Sequence, residues 1–71
     1  MSEYTIIFED AGSNYAASVP DLPGCIGTAD TFEELRELMR EAIEFHIEGP
    51  RREGVVVPPP STKAATVIVA P

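Results

Sequence analysis

With 71 residues, the chain has room for one small domain, and a domain of this size buries only about 60% of the surface that its unfolded chain exposes. Its formal net charge of −7 argues against direct nucleic-acid binding, which requires lysine and arginine to replace the counterions on phosphates. No apolar run approaches the ~20 residues that span a bilayer and no signal peptide is visible, so we expect one cytoplasmic domain that binds no membrane.

The N-terminal part of the chain predicts a β-hairpin. Residues 4–9 are aromatic and β-branched without a breaker, which is typical of a strand. Because side chains alternate along a strand, the even positions share one face: Tyr4, Ile6 and Phe8. The odd positions share the other face: Thr5, Ile7 and Glu9. Turn-forming residues at 10–14 connect this strand to a second strand at 15–19.

The stretch VPDLPGC, residues 19–25, predicts a chain reversal. Pro20 has no N–H to donate to a neighbouring strand, so it ends the second strand. Pro23 and Gly24 fit the two central positions of a type II turn, because proline presets the first φ and glycine accepts the positive φ that follows. A short third strand is predicted over 25–29.

A capping box, Thr31-Phe32-Glu33-Glu34, predicts the start of a helix over 31–48. Apolar and half-apolar residues recur at the helical period and are predicted to form one broad stripe: Phe32, Leu35, Leu38, Met39, Ala42, Ile43, Phe45 and His46. Gly49 and Pro50 are predicted to end the helix, glycine as a left-handed cap and proline as a block to extension.

The remaining residues predict a linker and a last strand. Residues 50–64 are rich in proline, and the run 58–60 should be extended and stiff. Residues 65–70 are mostly β-branched and predict a strand. The sequence therefore predicts one α+β domain over 1–71, a two-layer β-β-β-α-β arrangement with a core at 3–49, a linker at 50–64 and a last strand at 65–70.

One helix covers only one face of such a sheet. The other face, which carries Thr5, Ile7 and Ser18, is therefore predicted to bind a partner or a second copy. The stiff linker would also let the last strand pair with the sheet edge of a neighbouring chain. We expect a homo-oligomer, a dimer or a tetramer.

Two side chains are candidates for nucleophilic chemistry, Cys25 and His46. They are the chain's sole cysteine and sole histidine, so we expect neither a disulfide within the chain nor a metal site built on these two residue types. Cys25 begins a strand, His46 lies in the apolar stripe, and no orienting group or oxyanion hole accompanies them. We predict no catalytic residue, no metal site and no cofactor, and hence a protein that is not an enzyme.

Carboxylates leave two other interpretations open. Metal nucleases place their acids at strand ends, and this chain has acids at four such positions: Glu9, Asp10, Asp21 and Asp30. Each also has a turn or cap role available. A vestigial ribonuclease-H-type nuclease that requires a divalent metal is one alternative, and a self-associating structural domain without another partner is a second.

Residues 4–49 resemble the N-terminal domain of HicB-family antitoxins. The similarity rests on a tyrosine-led strand followed by three motifs at family spacing: Val19–Cys25, Asp30–Glu34 and Glu41–Glu44. It extends over about residues 3–60 and includes the proline-rich linker. The motif PDLPGC followed at this distance by a capped helix is specific, whereas either piece alone is weak.

This resemblance implies a partial ribonuclease-H-like sheet and an inhibitory role. Members of the family bind and mask a small basic HicA-like toxin that cleaves mRNA, and the catalytic histidine belongs to the toxin, so His46 inherits no role. HicB antitoxins typically continue into a helix-turn-helix or ribbon-helix-helix domain. The sequence reaches Pro71 without one, so operator binding is not expected of it.

Masking would operate through complementary charge. Acidic side chains would meet the lysines and arginines that the toxin uses for RNA, while buried apolar contacts would supply most of the affinity. The predicted contacts combine the helix acids with two residues of the turn: Asp21, Leu22, Glu37, Glu41, Glu44 and Glu48.

Overall fold

The structure is a computed structural model that describes residues 2–71. Three strands, β1 (Ile7–Asp10), β2 (Tyr15–Ser18) and β3 (Ile26–Ala29), form an antiparallel sheet in the order β1-β2-β3. One helix, α1 (Phe32–Arg52), covers one face of this sheet. The predicted α+β class and the β-β-β-α order are confirmed.

The core lies between the middle of the sheet and the first half of α1. Leu35 and Met39 of the helix are fully buried and pack with Ala17 of the central strand. Gly27 of β3 permits this close approach, since a Cβ at this position would lie 3.1 Å from the Met39 sulfur. At the end of the sheet where α1 begins, the Phe8 and Phe32 rings stack with centroids 4.6 Å apart.

The connection between β2 and β3 consists of two consecutive turns. The Leu22 N–H donates to the Val19 carbonyl at 3.1 Å, and the Cys25 N–H donates to the Leu22 carbonyl at 3.0 Å. Gly24 has a φ of 86°, so Pro23-Gly24 form the predicted turn with a positive second φ. Val19, Leu22 and Cys25 are all buried, and the stretch VPDLPGC is a chain reversal anchored by three apolar side chains.

The start of α1 agrees with the sequence, but its end does not. Thr31 is the N-cap, and its hydroxyl accepts a hydrogen bond from the Glu34 N–H at 3.2 Å. The helix was predicted to stop at Gly49 and Pro50, and this prediction is wrong because α1 continues to Arg52. The actual stop is Gly54, with a φ of 77°.

The helix ends in a Schellman motif. The Val55 N–H donates to the Pro50 carbonyl at 2.8 Å, and the Gly54 N–H donates to the Arg51 carbonyl at 3.1 Å. Pro50 lies in the last turn of α1, where its missing N–H costs one helical bond. Gly49 helps to accommodate this proline, because Gly49 has no Cβ to clash with the proline ring that follows.

The predicted last strand over 65–70 is also wrong for this single chain. Residues 55–71 have no helix or strand, and residues 63–71 are exposed. The preceding segment is held by the residues before β1: the Tyr4 hydroxyl donates to the Pro58 carbonyl, and the Thr5 hydroxyl donates to the Thr62 carbonyl. A strand requires an adjacent edge, and residues 65–70 have none alongside them.

Asp21 fastens this segment to the β2–β3 connection. Its carboxylate accepts four hydrogen bonds, two from backbone N–H groups and two from hydroxyls, all from Ser61 and Thr62 and all between 2.8 and 3.0 Å. These donors, above all the Thr62 N–H, lower the pKa of Asp21 from 3.8 to about 2. We call this arrangement the Asp21 clamp.

Pro50→Ala is expected to stabilise the protein by about 1 kcal/mol or more, because alanine restores a backbone donor inside α1. Urea unfolding followed by circular dichroism measures this change. Had the helix ended at Gly49, the substitution would be neutral.

Gly54→Ala is expected to have the opposite effect and to destabilise the protein by about 1 kcal/mol, because alanine resists a positive φ.

Asp21→Asn is expected to release residues 61–62. The asparagine NH₂ group replaces one of the two accepting oxygens, and it cannot accept hydrogen bonds from Ser61 and Thr62. The depressed pKa gives the direction with pH: the clamp is complete above about 3.8 and is lost as the pH falls through about 2. NMR of the Ser61 and Thr62 amides should show both effects. Asp30→Asn, at an exposed aspartate, is the control; equal changes in both variants would contradict the clamp.

Candidate partner-binding surface

The surface of α1 that faces away from the sheet is acidic. Leu35 and Met39 define the buried side of the helix, and the glutamates lie on the exposed side. The exposed set has six members: Glu33, Glu34, Glu37, Glu41, Glu44 and Glu48. The predicted solvent-facing acidic surface is therefore present, and it includes all four helix residues that were predicted to contact a partner.

Two of those four glutamates are already paired within the helix. Arg40 lies between Glu37 and Glu44, donating to Glu37 through Nε at 3.0 Å and to Glu44 through Nη1 at 2.7 Å. Hydrogen bonding and charge from Arg40 lower the pKa of Glu37. Such solvent-exposed pairs contribute little to stability, so they redistribute charge more than they stabilise the fold.

The other two predicted glutamates, Glu41 and Glu48, have weaker or no ion pairing. Glu48 approaches Arg52 at 3.8 Å, a long and solvent-exposed contact. Among residues 2–71, Glu41 forms no ion pair within 4 Å. Of the four predicted contact residues, Glu41 is therefore the one without an ion pair, and Glu48 has only this long contact.

Two large apolar side chains lie beside these carboxylates. Phe45 is 77% exposed and Leu38 is 44% exposed. Glu41 lies three residues after Leu38 and four before Phe45, and Glu48 follows Phe45 by three, so the four side chains are neighbours along one strip of the helix. We call Leu38, Glu41, Phe45 and Glu48 the helix patch.

Sequence reasoning assigned Leu38 and Phe45 to the core-facing stripe and missed them as surface residues. Up to residue 48 of α1, the buried and half-buried positions are Leu35, Met39, Ala42, Ile43, His46 and Ile47. Leu38 and Phe45 are seven residues apart and each precedes a member of this set by one position. Their angular position on the helix could have identified them as surface residues. A narrower apolar stripe centred on Leu35 and Met39 would have excluded both Leu38 and Phe45.

The two predicted contacts in the turn serve the fold instead. Leu22 is 4% exposed and belongs to the core, so in this structure its side chain offers no surface to a partner. Asp21 holds Ser61 and Thr62 through the Asp21 clamp. Neither role could be read from the turn motif, because the residues that Asp21 binds are about 40 positions away.

Cys25 and His46 have structural surroundings. Cys25 is 1% exposed, and burial raises the pKa of its thiol, which disfavours the reactive thiolate. The Nδ1–H of His46 donates to the Ala42 carbonyl at 2.9 Å, one turn earlier in α1. These contacts explain both residues without a catalytic role.

Acidic residues at the ends of the strands do not converge. Asp10 caps its own turn by accepting from the Gly12 N–H at 2.9 Å, and Asp21 is occupied by the clamp. Within residues 2–71, no three histidine, cysteine or acidic side chains are grouped as metal ligands would be. Over the same residues, α1 is too polar to serve as a membrane span.

The uncovered face of the sheet is a second apolar surface. Ile7 and Ile26 lie on either side of Ser18 in register and are both exposed. Together with neighbouring small residues they line a shallow depression of about 440 Å³. The sequence predicted a half-apolar, exposed face at Thr5, Ile7 and Ser18; Ile7 is exposed, whereas Thr5 and Ser18 are half-buried and the Thr5 hydroxyl is bonded to Thr62.

Known proteins with similar sequences share most of this domain. The chain is 48% identical over 46 residues to an uncharacterized 14.9 kDa protein of Haemophilus phage HP1, which covers 65% of this chain and 35% of the phage protein. It is 42% identical over 43 residues to a UPF0150 protein of Archaeoglobus fulgidus, covering 61% of this chain and 62% of that protein. A UPF0150 protein of Thermoplasma acidophilum is 32% identical over 66 residues, 92% of this chain and 96% of its own length.

A family model provides the assignment. The model described as "HicB_like antitoxin of bacterial toxin-antitoxin system" matches residues 4–70, from Tyr4, which precedes β1, to Ala70 in the exposed tail. This range includes the double turn, the capped helix and the acidic surface described above. The chain belongs to the HicB-like antitoxin family of bacterial toxin–antitoxin systems.

Proposed function

We propose that this chain is an antitoxin that binds and masks a small basic HicA-like toxin that cleaves mRNA. Membership of the family supports an antitoxin role in general. The observation that carries the specific proposal is the helix patch, where two exposed apolar side chains lie among carboxylates that are not neutralised by Arg40.

Charge determines which partners this surface selects. A protein that cleaves RNA needs lysines and arginines along its RNA-binding surface to neutralise phosphates. A chain with a net charge of −7 and a row of glutamates on one helix matches such a surface. Complementary charge speeds the encounter and discriminates against acidic partners, so occlusion of the basic surface would exclude RNA from it.

Apolar contact supplies the affinity in this proposal. Phe45 lies on a helix, so a partner that covers it does not have to order the backbone there. Binding energy at protein interfaces is concentrated in a few large side chains of this kind, surrounded by polar residues that exclude water. Phe45 with Leu38 would be the centre of the contact, and Glu41 and Glu48 its charged rim.

Phe45→Ala is expected to weaken binding of the toxin by about 30-fold or more, the loss typical of a central aromatic contact. The probe is a small basic HicA-like protein, sought first among the reading frames adjacent to this one, co-expressed with this chain and purified as the complex. Calorimetry measures the affinity, and RNA cleavage by the toxin measures masking.

Glu41→Lys with Glu48→Lys should slow association with the toxin and reduce the dependence of the association rate on salt.

Glu9→Lys is the matched control for Glu41→Lys alone, because each single substitution makes the same charge change and Glu9 is an exposed residue of β1 outside the helix patch. It should bind nearly as the unmodified chain does. Equal loss in the Glu9 and Glu41 variants would reduce the effect to overall charge and contradict a role for the helix patch. A basic neighbour that neither copurifies with the chain nor is inhibited by it would overturn the proposed function.

A further inference from the structure

The outer edge of β3 is open. Over residues 2–71 the sheet order is β1-β2-β3, so β3 pairs with β2 on one side and with no strand on the other. Sheet edges are commonly guarded by charged residues, by proline or by a bulge. The sequence of β3, Ile26-Gly27-Thr28-Ala29, has neither charge nor proline, and its register with β2 is unbroken. This edge is therefore available to a strand from another molecule.

The register of β3 identifies the backbone groups that face outward. The Val19 N–H donates to the Cys25 carbonyl at 3.1 Å, so these two residues form a hydrogen-bonded pair. Bonded and non-bonded pairs alternate along an antiparallel ladder. The next residue of the strand that bonds to β2 is therefore Gly27. The N–H and C=O groups of Ile26 and Thr28 point away from β2, toward the open edge.

Leu38 of the helix patch lies over this strand. A Cβ at Gly27 would lie 3.3 Å from the Leu38 Cδ2, so the leucine side chain contacts β3, yet it is 44% exposed. Ile43 and Ile47 lie on the opposite flank of α1, where they line a groove together with Tyr4. The helix patch is thus on the β3 side of the helix, and it is continuous with the open edge.

Ile26 provides an apolar contact on the other face of the sheet. Its side chain lies on the face that α1 leaves uncovered, in register with Ser18 and Ile7, and it is 72% exposed. Side chains alternate between the two faces of a strand. A strand beside β3 would therefore direct one set of side chains toward Leu38 and the other set toward Ile26.

We propose that the basic partner binds by strand addition: one of its strands pairs with the β3 edge through the outward N–H and C=O groups of Ile26 and Thr28, beside the helix patch. In this binding mode the main-chain hydrogen bonds give affinity, and the pockets for alternate side chains give specificity. The inference rests on the proposed function, because it states how the same partner is held.

Charge favours a basic partner over a second copy at this edge. Three arginines of α1 line the groove on the opposite flank: Arg36, Arg40 and Arg51. On the β3 side, Glu41 and Glu48 belong to the helix patch, and Asp30, which directly follows β3, is exposed. Two copies that met here would bring these carboxylates together, whereas a strand flanked by lysine or arginine would meet opposite charge.

Amide hydrogen exchange measured by NMR tests the pairing without any substitution. In the free chain the Ile26 and Thr28 amides should exchange fast, and the Gly27 amide, bonded to β2, should exchange slowly. Saturation with the small basic HicA-like protein is expected to slow exchange at Ile26 and Thr28 at least about tenfold. The Gly27 amide serves as the internal control and should stay slow.

Thr28→Pro removes an outward N–H that the chain's own sheet does not use, so the fold should be retained, as at other edge positions that accept proline. The dissociation constant of the complex is expected to rise at least about tenfold, because a hydrogen bond is lost and the proline ring obstructs the edge. Thr28→Val keeps the N–H and should bind as the unmodified chain does. Circular dichroism verifies that both variants fold, and calorimetry measures binding.

Two results would contradict strand addition and leave the proposed function standing. One is a complex that forms and masks the toxin while Ile26 and Thr28 stay in fast exchange. The other is equal binding by the Thr28→Pro and Thr28→Val variants. Protection of the same amides in the chain alone at high concentration would show that a second copy occupies the edge, and would also overturn the inference. A chain that binds no basic partner would overturn the proposed function and this inference with it.

Discussion

Contact between one helix and one face of a three-stranded sheet is the constraint on which the rest of this molecule depends. Leu35 and Met39 fit against Ala17 because Gly27 leaves room for them, and this small contact holds α1 on the sheet. A single helix cannot cover the second face or the open edge. The exposed isoleucines on the second face are a consequence of that incomplete coverage.

The parts of the fold that could be predicted are those encoded by neighbouring residues. The strand alternation, the Pro23-Gly24 turn and the Thr31 cap each depend on contacts within a few positions. The helix end was mispredicted because two candidate stops compete there, and the hydrogen bonds that favour Gly54 are visible only in three dimensions. The last strand was mispredicted because β-propensity describes residues 65–70 but not the edge that they need.

Candidate site residues followed the same division. The helix acids were found because charge at a helical period predicts exposure, and the structure leaves them exposed. Asp21 was assigned to a partner because nothing local reveals Ser61 and Thr62 as its donors. Phe45 was assigned to the core because its hydrophobicity outweighed its angular position, although large exposed apolar residues are among the strongest indications of a binding surface.

Gly54 has an influence out of proportion to its size. Its left-handed backbone reverses the direction of the chain after α1, so Val57 returns to the core and Pro58 reaches Tyr4. The direction of the chain after residue 54 depends on this reversal. A family that kept every other feature but lost this glycine could send its tail to the opposite side of the domain, and could thereby acquire a different set of neighbours through a single codon.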